Sequence, residues 1–254
     1  SKLFQSQKRR KELANQWEKF SIQKEKENLV VTGSDVRGTV YAIFEMAELL
    51  GISPWKWWAD VHPIKKEKLA LQFPRKGITA APSVQYRGIF LNDEDWGLQP
   101  WAAKTFEPET GDIGPKTYEK IFQLLLRLKA NTIWPAMHPS TKAFFHYPGN
   151  VKMAGLYEIV IGSSHAEPML RNNVGEWKRT MGQFNYLTNK DTIFKYWEDR
   201  VKESSGINAM YTIGMRGVHD SGLEGVKDPK EAARLLQRIF EDQRNMLHEY
   251  VKKK

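Results

Sequence analysis

Apolar runs alternate with amphipathic segments along the later two thirds of the chain. The runs predict strands at 84–91, 132–134, 159–161 and 207–214. Positions with helical spacing between and after them predict helices at 118–130, 150–157, 192–204 and 228–252. The last helix has the clearest start, with Asp228 as N-cap, Pro229 at its first position and Glu231 completing a capping box. Strands that alternate with helices predict a parallel sheet, in either a doubly wound fold or a (β/α)8 barrel.

The first part of the chain has a different pattern. It predicts a polar helix at 2–19, a hairpin of strands at 20–22 and 29–31, and a helix that begins near Val36 and ends at Gly51. Ser34 or Asp35 is the expected N-cap of that helix. The segment Val61–Arg75 is rich in proline and lysine and is interpreted as an edge strand and a linker. We therefore expect two domains, at 1–77 and 78–254.

The second domain favours the barrel over the doubly wound fold. The expected loops after the strands are long and carry many polar and aromatic residues, and no glycine-rich phosphate fingerprint follows the first strand. A complete barrel needs about 250 residues. The predicted fold class is therefore α/β, with part of an N-terminal α/β domain followed by the first four βα units, or first half, of a (β/α)8 TIM-type barrel.

Composition excludes several classes of function. The 254 residues include no cysteine, which rules out disulfides, thiolate nucleophiles and cysteine-based metal sites. No run reaches the ~20 apolar residues of a membrane span, so no membrane role is expected. The net charge is +9, with lysine- and arginine-rich runs at 8–11 and 65–68. A nucleic-acid surface would explain these runs. Because the first run has no interleaved aromatic residues and Glu67 interrupts the second, we favour a solvated face with no nucleic-acid partner. An acidic polymer substrate is a third possibility.

In a barrel of this type the active site lies at the carboxyl ends of the strands. The first strand ends in Asn92-Asp93-Glu94-Asp95-Trp96, which places three carboxylates within four residues. Strand alternation would put Asp93 and Asp95 on one face and Glu94 on the other. A solvated acidic turn is the plain alternative. Because the other strands also end in polar residues, Asp93 or Asp95 is predicted to be catalytic.

Arg216 and Asp220 follow the fourth predicted strand, four residues apart. They could form an ion pair that supports the loop. Alternatively, Arg216 could bind a substrate carboxylate through two parallel hydrogen bonds while Asp220 orients groups or transfers a proton. The sequence favours neither interpretation, and both can hold together.

His138 and His165 follow the second and third strands. Together with Glu167 they could form a metal site, pack in the structure, or bind sugar hydroxyl groups. Aromatic residues near the strand ends suit stacking on sugar rings, although packing is the usual role of such residues: they are Trp96, Trp101, Trp134 and Tyr147. We predict no metal and no cofactor. Substrate binding is assigned to Asn92, Trp96, His138, His165, Glu167, Asn172 and Arg216.

Four strings at the strand ends resemble glycoside hydrolase family 115, the xylan α-glucuronidases. They are RGIFLNDEDWGLQPWAAKTFEPETGDIGPKTY (87–118), LKANTIWPAMHPSTKAFFHYPGN (128–150), IGSSHAEPMLRNN (161–173) and YTIGMRGVHDSG (211–222). The segment 33–61 resembles the end of the family's N-terminal α/β domain. The resemblance implies removal of α-1,2-linked glucuronic acid, often 4-O-methylated, from glucuronoxylan or aldouronic oligosaccharides, by an inverting acid–base mechanism.

The same resemblance implies further properties of the enzyme. It places Asp93, Asp95, Arg216 and Asp220 in the pocket and adds a glutamate and an asparagine from strands after Lys254. A chain of 254 residues would then hold one side of the site and be inactive alone. It also implies a secreted or periplasmic enzyme, with homodimerisation through further domains. The opening Ser1 suggests that the native N-terminus is missing.

Two alternatives remain. The first is another glycosidase with the same domains, such as a β-N-acetylglucosaminidase, which would have no use for Arg216 against a substrate carboxylate. The second is a carbohydrate-binding fragment without catalysis. Measuring released glucuronic acid against released N-acetylglucosamine separates the two enzymes.

Overall fold

The computed structural model describes residues 11, 13–69, 73–74, 76–92 and 94–251. These residues form a mixed α/β structure that divides into two compact units. The first comprises residues 1–87 and 121–131, and the second comprises 88–120 and 132–254. The predicted boundary between residues 77 and 78 stays a prediction. No helix among the described residues is long and apolar enough to cross a membrane.

The first unit contains an antiparallel sheet and one long helix. Its strands are β1 (Phe20–Glu25), β2 (Asn28–Gly33) and β3 (Ile78–Ala80), in the order β2-β1-β3. Helix α1 (Val36–Leu49) follows β2. These elements confirm the predicted hairpin and helix. Asp35 is the N-cap, since its side chain accepts a hydrogen bond from the Gly38 amide at 2.7 Å.

Two predictions for the first unit are wrong. The helix predicted to reach residue 19 does not continue through 14–19, where the chain forms turns with positive φ angles at Asn15 and Glu18. Most of its earlier residues lie outside the described part. No strand forms within the described residues of 61–75, and the edge strand β3 comes later, where Ile78 can pair with Ile22.

A buried ion cluster fixes the turn before β1. The Glu18 carboxylate lies 2.5 Å from Arg37 Nε and 2.5 Å from Arg87 Nη2. It also accepts a hydrogen bond from Asn131 Nδ2 at 2.6 Å. Because a buried carboxylate needs compensating charge and donors, these three partners explain how Glu18 is accommodated with no exposed surface.

The second unit contains a parallel sheet, with strands β4 (Gly88–Phe90), β5 (Thr132–Trp134) and β6 (Val160–Ile161) in that order. Six α-helices are described from residue 98 onward. They are α2 (Leu98–Trp101), α3 (Pro115–Arg127), α4 (Pro148–Leu156), α5 (Asn173–Glu176), α6 (Lys190–Ser204) and α7 (Pro229–Tyr250). Residues 121–127 of α3 are assigned to the first unit. A π-helical turn at Ala102–Phe106 follows α2, and short 3-10 turns lie at Pro54–Lys56, Glu94–Trp96, Phe144–His146, Pro168–Leu170 and Arg179–Met181. Three of the four predicted parallel strands and the four main helices are thus present, and the strands are shorter than expected. Asp228 caps α7 as predicted.

The fourth predicted strand, at 207–214, is wrong. This segment makes one parallel bridge, in which Ala209 pairs with Ile161 of β6. Beyond it, the Thr212 carbonyl accepts a hydrogen bond from the Met169 amide at 2.8 Å. Gly214 then exchanges two hydrogen bonds with the buried Gln243 side chain of α7. Asn208 and Met210 exchange backbone hydrogen bonds with Ile161 of β6. Further along, Thr212 and Gly214 bond to Met169 and Gln243, so the pairing with β6 does not continue.

The middle strand β5 is approached closely from both sides. A Cβ atom on Gly88 would lie 1.8 Å from the Thr132 carbonyl oxygen. A Cβ atom on Gly162, which follows β6, would lie 2.5 Å from the Trp134 indole ring. One cluster of buried apolar residues in this unit consists of Met169, Phe184, Tyr186, Ile193, Tyr196, Trp197, Val201, Met215, Leu235, Ile239 and Met246.

Candidate active site

The acidic turn after β4 is a 3-10 helix, Glu94–Trp96, and not an extended strand end. The predicted alternation of faces is therefore wrong, because successive 3-10 residues point about 120° apart rather than to opposite sides. Asp93 lies outside the described residues. Asn92 and Asp95 are exposed.

Glu94, predicted to lie on the face opposite Asp93 and Asp95, is the first residue of this turn. Its side chain is completely buried. One carboxylate oxygen, Oε1, accepts hydrogen bonds from the backbone amides of Met137 and His138, at 2.6 and 2.7 Å. Glu94 thereby links the turn after β4 to the segment after β5. The sequence carries no signal for this link, because the partners are more than forty residues away and donate from the backbone.

His138 completes a small cluster with the two acidic residues of this turn. Its Nδ1 atom lies 3.2 Å from Asp95 Oδ1 and 3.6 Å from Glu94 Oε2. We call Glu94, Asp95 and His138 the β4–β5 cluster. Among the described residues these three are the group with metal-ligating atoms within 4.8 Å of one another. The set of His138, His165 and Glu167 considered from the sequence is not brought together in this way.

A second histidine–aspartate pair lies on the loops after β6 and after the bridged segment. His165 Nε2 is 3.0 Å from Asp220 Oδ1, and Arg216 Nη1 is 2.6 Å from the same oxygen. We call these three residues the β6-loop cluster. The hydrogen bond with His165, followed by the charge of Arg216, lowers the pKa of Asp220 below its usual value. Asp220 is therefore ionised near neutral pH.

The ion pair between Arg216 and Asp220 is thus present in the structure. It involves Nη1 of the guanidinium group, whose side chain is 41% exposed. Structural support and substrate binding both remain compatible with this geometry.

Glu167, two residues after His165, is buried. Burial raises the pKa of its carboxyl group to about 7, against the opposing effect of hydrogen bonds from the Ser164 amide and hydroxyl. The residue borders a cavity of about 20 Å³ that Ser163, Asn172 and Arg200 also line. This volume accommodates about one water molecule. Glu167 is therefore placed to hold a proton at neutral pH, but under the surface rather than on it.

Asn172 was assigned to substrate binding, and its side chain contacts the backbone. Its Oδ1 atom accepts a hydrogen bond from the Gly175 amide at 2.9 Å and caps α5, and its Nδ2 atom donates to the Met137 carbonyl at 3.1 Å. These bonds hold the segment after β5 against the loop after β6. The contacts indicate a supporting position.

The four aromatic residues considered for stacking on sugar rings differ in their exposure and in their contacts. Trp101 stacks on Phe106, Trp134 meets Phe90 edge to face, and the Tyr147 hydroxyl donates to Asp112 at 3.1 Å. Trp96 is 84% exposed and adjoins Asp95. Of the four, Trp96 has the surface that a sugar ring could stack on.

Two buried carboxylates in the string before α3 were not singled out from the sequence. Glu107 accepts hydrogen bonds from the Gly114 and Thr117 amides, at 3.1 and 3.0 Å, and so caps α3. Asp112 accepts from Thr141 Oγ1 at 2.7 Å and from the Lys142 amide at 2.9 Å. Both carboxylates fix loops around the site.

Comparison with known proteins agrees with the resemblance at the strand ends. The profile of glycosyl hydrolase family 115 matches residues 79–254. A solved structure, described as a family GH115 4-O-methyl-α-glucuronidase, BtGH115A, with specificity for decorated arabinogalactans, is 50% identical to the chain, with a TM-score of 0.89. The match covers 96% of this chain and 32% of that one, so the chain spans about a third of its relative's length. No curated protein matches significantly. Because the family profile covers more than half of the residues, the chain belongs to glycosyl hydrolase family 115.

Proposed function

We propose that the intact protein is a glycoside hydrolase that releases glucuronic acid, with or without a 4-O-methyl group, from the side chains of a polysaccharide. The observation that carries the proposal is the 50% identity to a solved 4-O-methyl-α-glucuronidase over nearly the whole chain. The polar strand ends of the second unit support it, because a hydrolase of this class needs carboxylates and a partner for the uronate. An α-1,2 linkage is part of the proposal on the basis of the family resemblance.

Arg216 is proposed to bind the uronate carboxylate. Its guanidinium group is partly exposed and already lies beside one carboxylate, that of Asp220. A planar guanidinium can bind a second carboxylate through its remaining donors. Asp220 would then orient Arg216 while the substrate occupies the outer edge of the group.

Asp220 is proposed to act as the general base of an inverting reaction. Its carboxylate is ionised near neutral pH and half exposed, so it is available to accept a proton from water as the water oxygen attacks the anomeric carbon. The glycosidic bond breaks in the same step, and a carboxylic acid protonates the leaving oxygen. The family resemblance assigns one carboxyl group of the site to residues after Lys254.

The intact protein is proposed to complete the barrel. Strands β4, β5 and β6 and the bridged segment at Ala209 are parallel and adjacent in chain order, which is the arrangement of successive barrel strands. We also propose that residues 1–254 alone do not turn over substrate. Assaying the 254-residue chain beside the intact protein tests this, and release of glucuronic acid by the shorter chain would contradict it.

Two polysaccharides are candidates for the substrate. Xylan follows from the family resemblance, and a decorated arabinogalactan follows from the relative. We favour the arabinogalactan because the relative is half identical to the chain. Incubating the intact protein with aldouronic oligosaccharides and with glucuronic-acid-bearing arabinogalactan, and following released sugars by ¹H NMR, compares the two and reports the anomer formed first.

The expected result is β-glucuronic acid from an α-linked substrate, released faster from arabinogalactan. Initial release of the α-anomer would contradict inversion. Release of N-acetylglucosamine from a matched glycoside, without release of glucuronic acid, would favour the alternative glycosidase. Saturable binding of the oligosaccharides without any release would favour the binding module.

A further inference from the structure

We propose that the β4–β5 cluster is a binding site for a first-row divalent cation such as Zn²⁺. The ligands are Glu94 Oε2, Asp95 Oδ1 and His138 Nδ1. This inference goes beyond the proposed function and departs from the expectation of no metal. It does not depend on the identity of the sugar substrate.

The first argument is the spacing of the ligand atoms. His138 Nδ1 lies 3.2 Å from Asp95 Oδ1 and 3.6 Å from Glu94 Oε2. With metal–ligand bonds of ~2.1 Å, neighbouring ligands of a tetrahedral site are about 3.4 Å apart. The two measured separations lie on either side of this value. One imidazole nitrogen and two carboxylate oxygens, with a further position for water, form a donor set that Zn²⁺ accepts.

The second argument is the unpaired oxygen of Glu94. The residue is 3% exposed, and Oε2 has no hydrogen-bond partner among the described residues. A buried carboxylate oxygen without a donor is costly, because water that would solvate it has been removed. His138 Nδ1, at 3.6 Å, is too far from Oε2 for a good hydrogen bond. A cation bound between the two atoms would compensate the desolvation of the carboxylate oxygen.

The third argument is the way in which Glu94 is held. Its other oxygen, Oε1, accepts the Met137 and His138 amides, which fixes the carboxylate plane. Hydrogen bonds to the non-ligating atom of a ligand are typical of metal sites, because they orient the ligand in advance. The amide of His138 donates one of these two bonds, so the same carboxylate also holds the backbone of the second ligand, whose side chain is 27% exposed.

The cation would give these residues a different role from the one predicted for them. Asp95 becomes a ligand instead of an acid or base, and the ion ties the turn after β4 to the segment after β5. Neutralising two carboxylates with one dication also removes their mutual repulsion.

Zinc binding by the tag-free intact protein tests the proposal. After removal of metals with a chelator, titration with Zn²⁺ is followed by isothermal calorimetry, and the metal content after dialysis is measured by mass spectrometry. We expect one saturable site per chain. Glu94→Gln retains an oxygen for the two amides and removes the ligand charge, and should weaken Zn²⁺ binding at least about 10-fold, as should Asp95→Asn at the exposed position.

Matched controls lie outside the cluster. Glu241→Gln on α7 and His146→Gln after β5 change the same residue types at exposed positions and should leave the affinity within about two-fold. Absence of a saturable site in the wild type would overturn the proposal, as would unchanged stoichiometric binding in both cluster variants. Tight binding of Ca²⁺ in place of Zn²⁺ would contradict the assignment to a first-row cation. Because the readout is metal binding and not turnover, its failure is distinct from failure of the proposed glucuronidase.

Discussion

The two histidine–aspartate clusters of the second unit have similar distances and different surroundings. His138 lies 3.2 Å from Asp95, and His165 lies 3.0 Å from Asp220. The first pair is backed by the buried Glu94 and its two amide donors, whereas the second is backed by Arg216 at the surface. A fixed, buried carboxylate suits a ligand that must not move, and an exposed, ionised one suits proton transfer. The comparison shows that distance alone does not assign a role to such a pair.

The largest expected effect is a loss of catalytic activity on substitution of Asp220 in the β6-loop cluster. Asp220→Asn in the intact protein should lower kcat by about 10²–10⁴-fold, because the amide cannot accept the proton of the attacking water. Glucuronic acid release under saturating substrate measures it. Asp199→Asn, at an exposed position of α6, is the control. Near-normal kcat for Asp220→Asn would remove Asp220 from the role of general base.

The second prediction separates the clusters by local stability. Glu94→Ala leaves the buried Met137 and His138 amides without an acceptor, which costs about 1–3 kcal/mol each. Hydrogen exchange of the peptide containing these amides should accelerate accordingly. Asp220→Ala should leave exchange around residues 216–221 almost unchanged, since exposed ion pairs contribute little to stability. Equal effects at the two sites would remove the distinction between a buried and an exposed cluster.

The third prediction uses the opposite pKa shifts of two carboxyl groups in the second unit, those of Glu167 and Asp220. Burial raises the pKa of Glu167 from 4.5 to about 7, so the folded state binds its proton more tightly than the unfolded state does. The contribution of Glu167 to stability is complete below pH 4.5 and is lost as pH rises through 7, by about 3 kcal/mol. Asp220 has a lowered pKa, so its contribution is present above the usual carboxyl pKa and is lost in acid.

Denaturant unfolding between pH 4.5 and 7.5 measures this difference. Glu167→Gln should gain stability relative to the wild type as pH rises, while the exposed Glu241→Gln should follow the wild type throughout. A constant difference between wild type and Glu167→Gln would show that Glu167 is ionised in the folded protein.

The smallest expected effect concerns Arg216. Arg216→Lys keeps the charge beside Asp220 and loses the planar pair of donors, so kcat/KM for the uronic substrate should fall by about 10–100-fold. A matched neutral glucoside should be affected much less. An equal loss on both substrates would indicate that Arg216 acts through Asp220 alone.

Local patterns predicted the elements well and the site only in part. The hairpin at residues 20–33, the helix after Asp35 and the strand at Thr132 follow from alternation, capping and a short apolar run, which depend on neighbours in sequence. The segment at 207–214 has the same apolar character as a strand. Its pairing with the sheet ends early because Thr212 and Gly214 form hydrogen bonds with Met169 and Gln243, which are distant in sequence.

The candidate site shows the same limit. Asp220 and Arg216 are four residues apart, and their pairing could be anticipated from the spacing alone. The position of Glu94 could not, because a 3-10 turn replaced the expected strand and its hydrogen-bond donors came from another loop. Asn172 is predicted to bind substrate, but its polar side-chain atoms contact backbone groups of distant and neighbouring residues, which the sequence pattern does not reveal.

The two glycines that flank β5 have a consequence for attempts to engineer this protein. Any side chain at Gly88 would strike the Thr132 carbonyl oxygen, and any side chain at Gly162 would strike the Trp134 ring. In a saturation library both positions should accept glycine alone, whereas exposed positions of the loops beyond them, such as Trp96, should accept many residues. Directed evolution of the protein can therefore vary the loops, whereas substitutions at Gly88 and Gly162 should almost never be neutral.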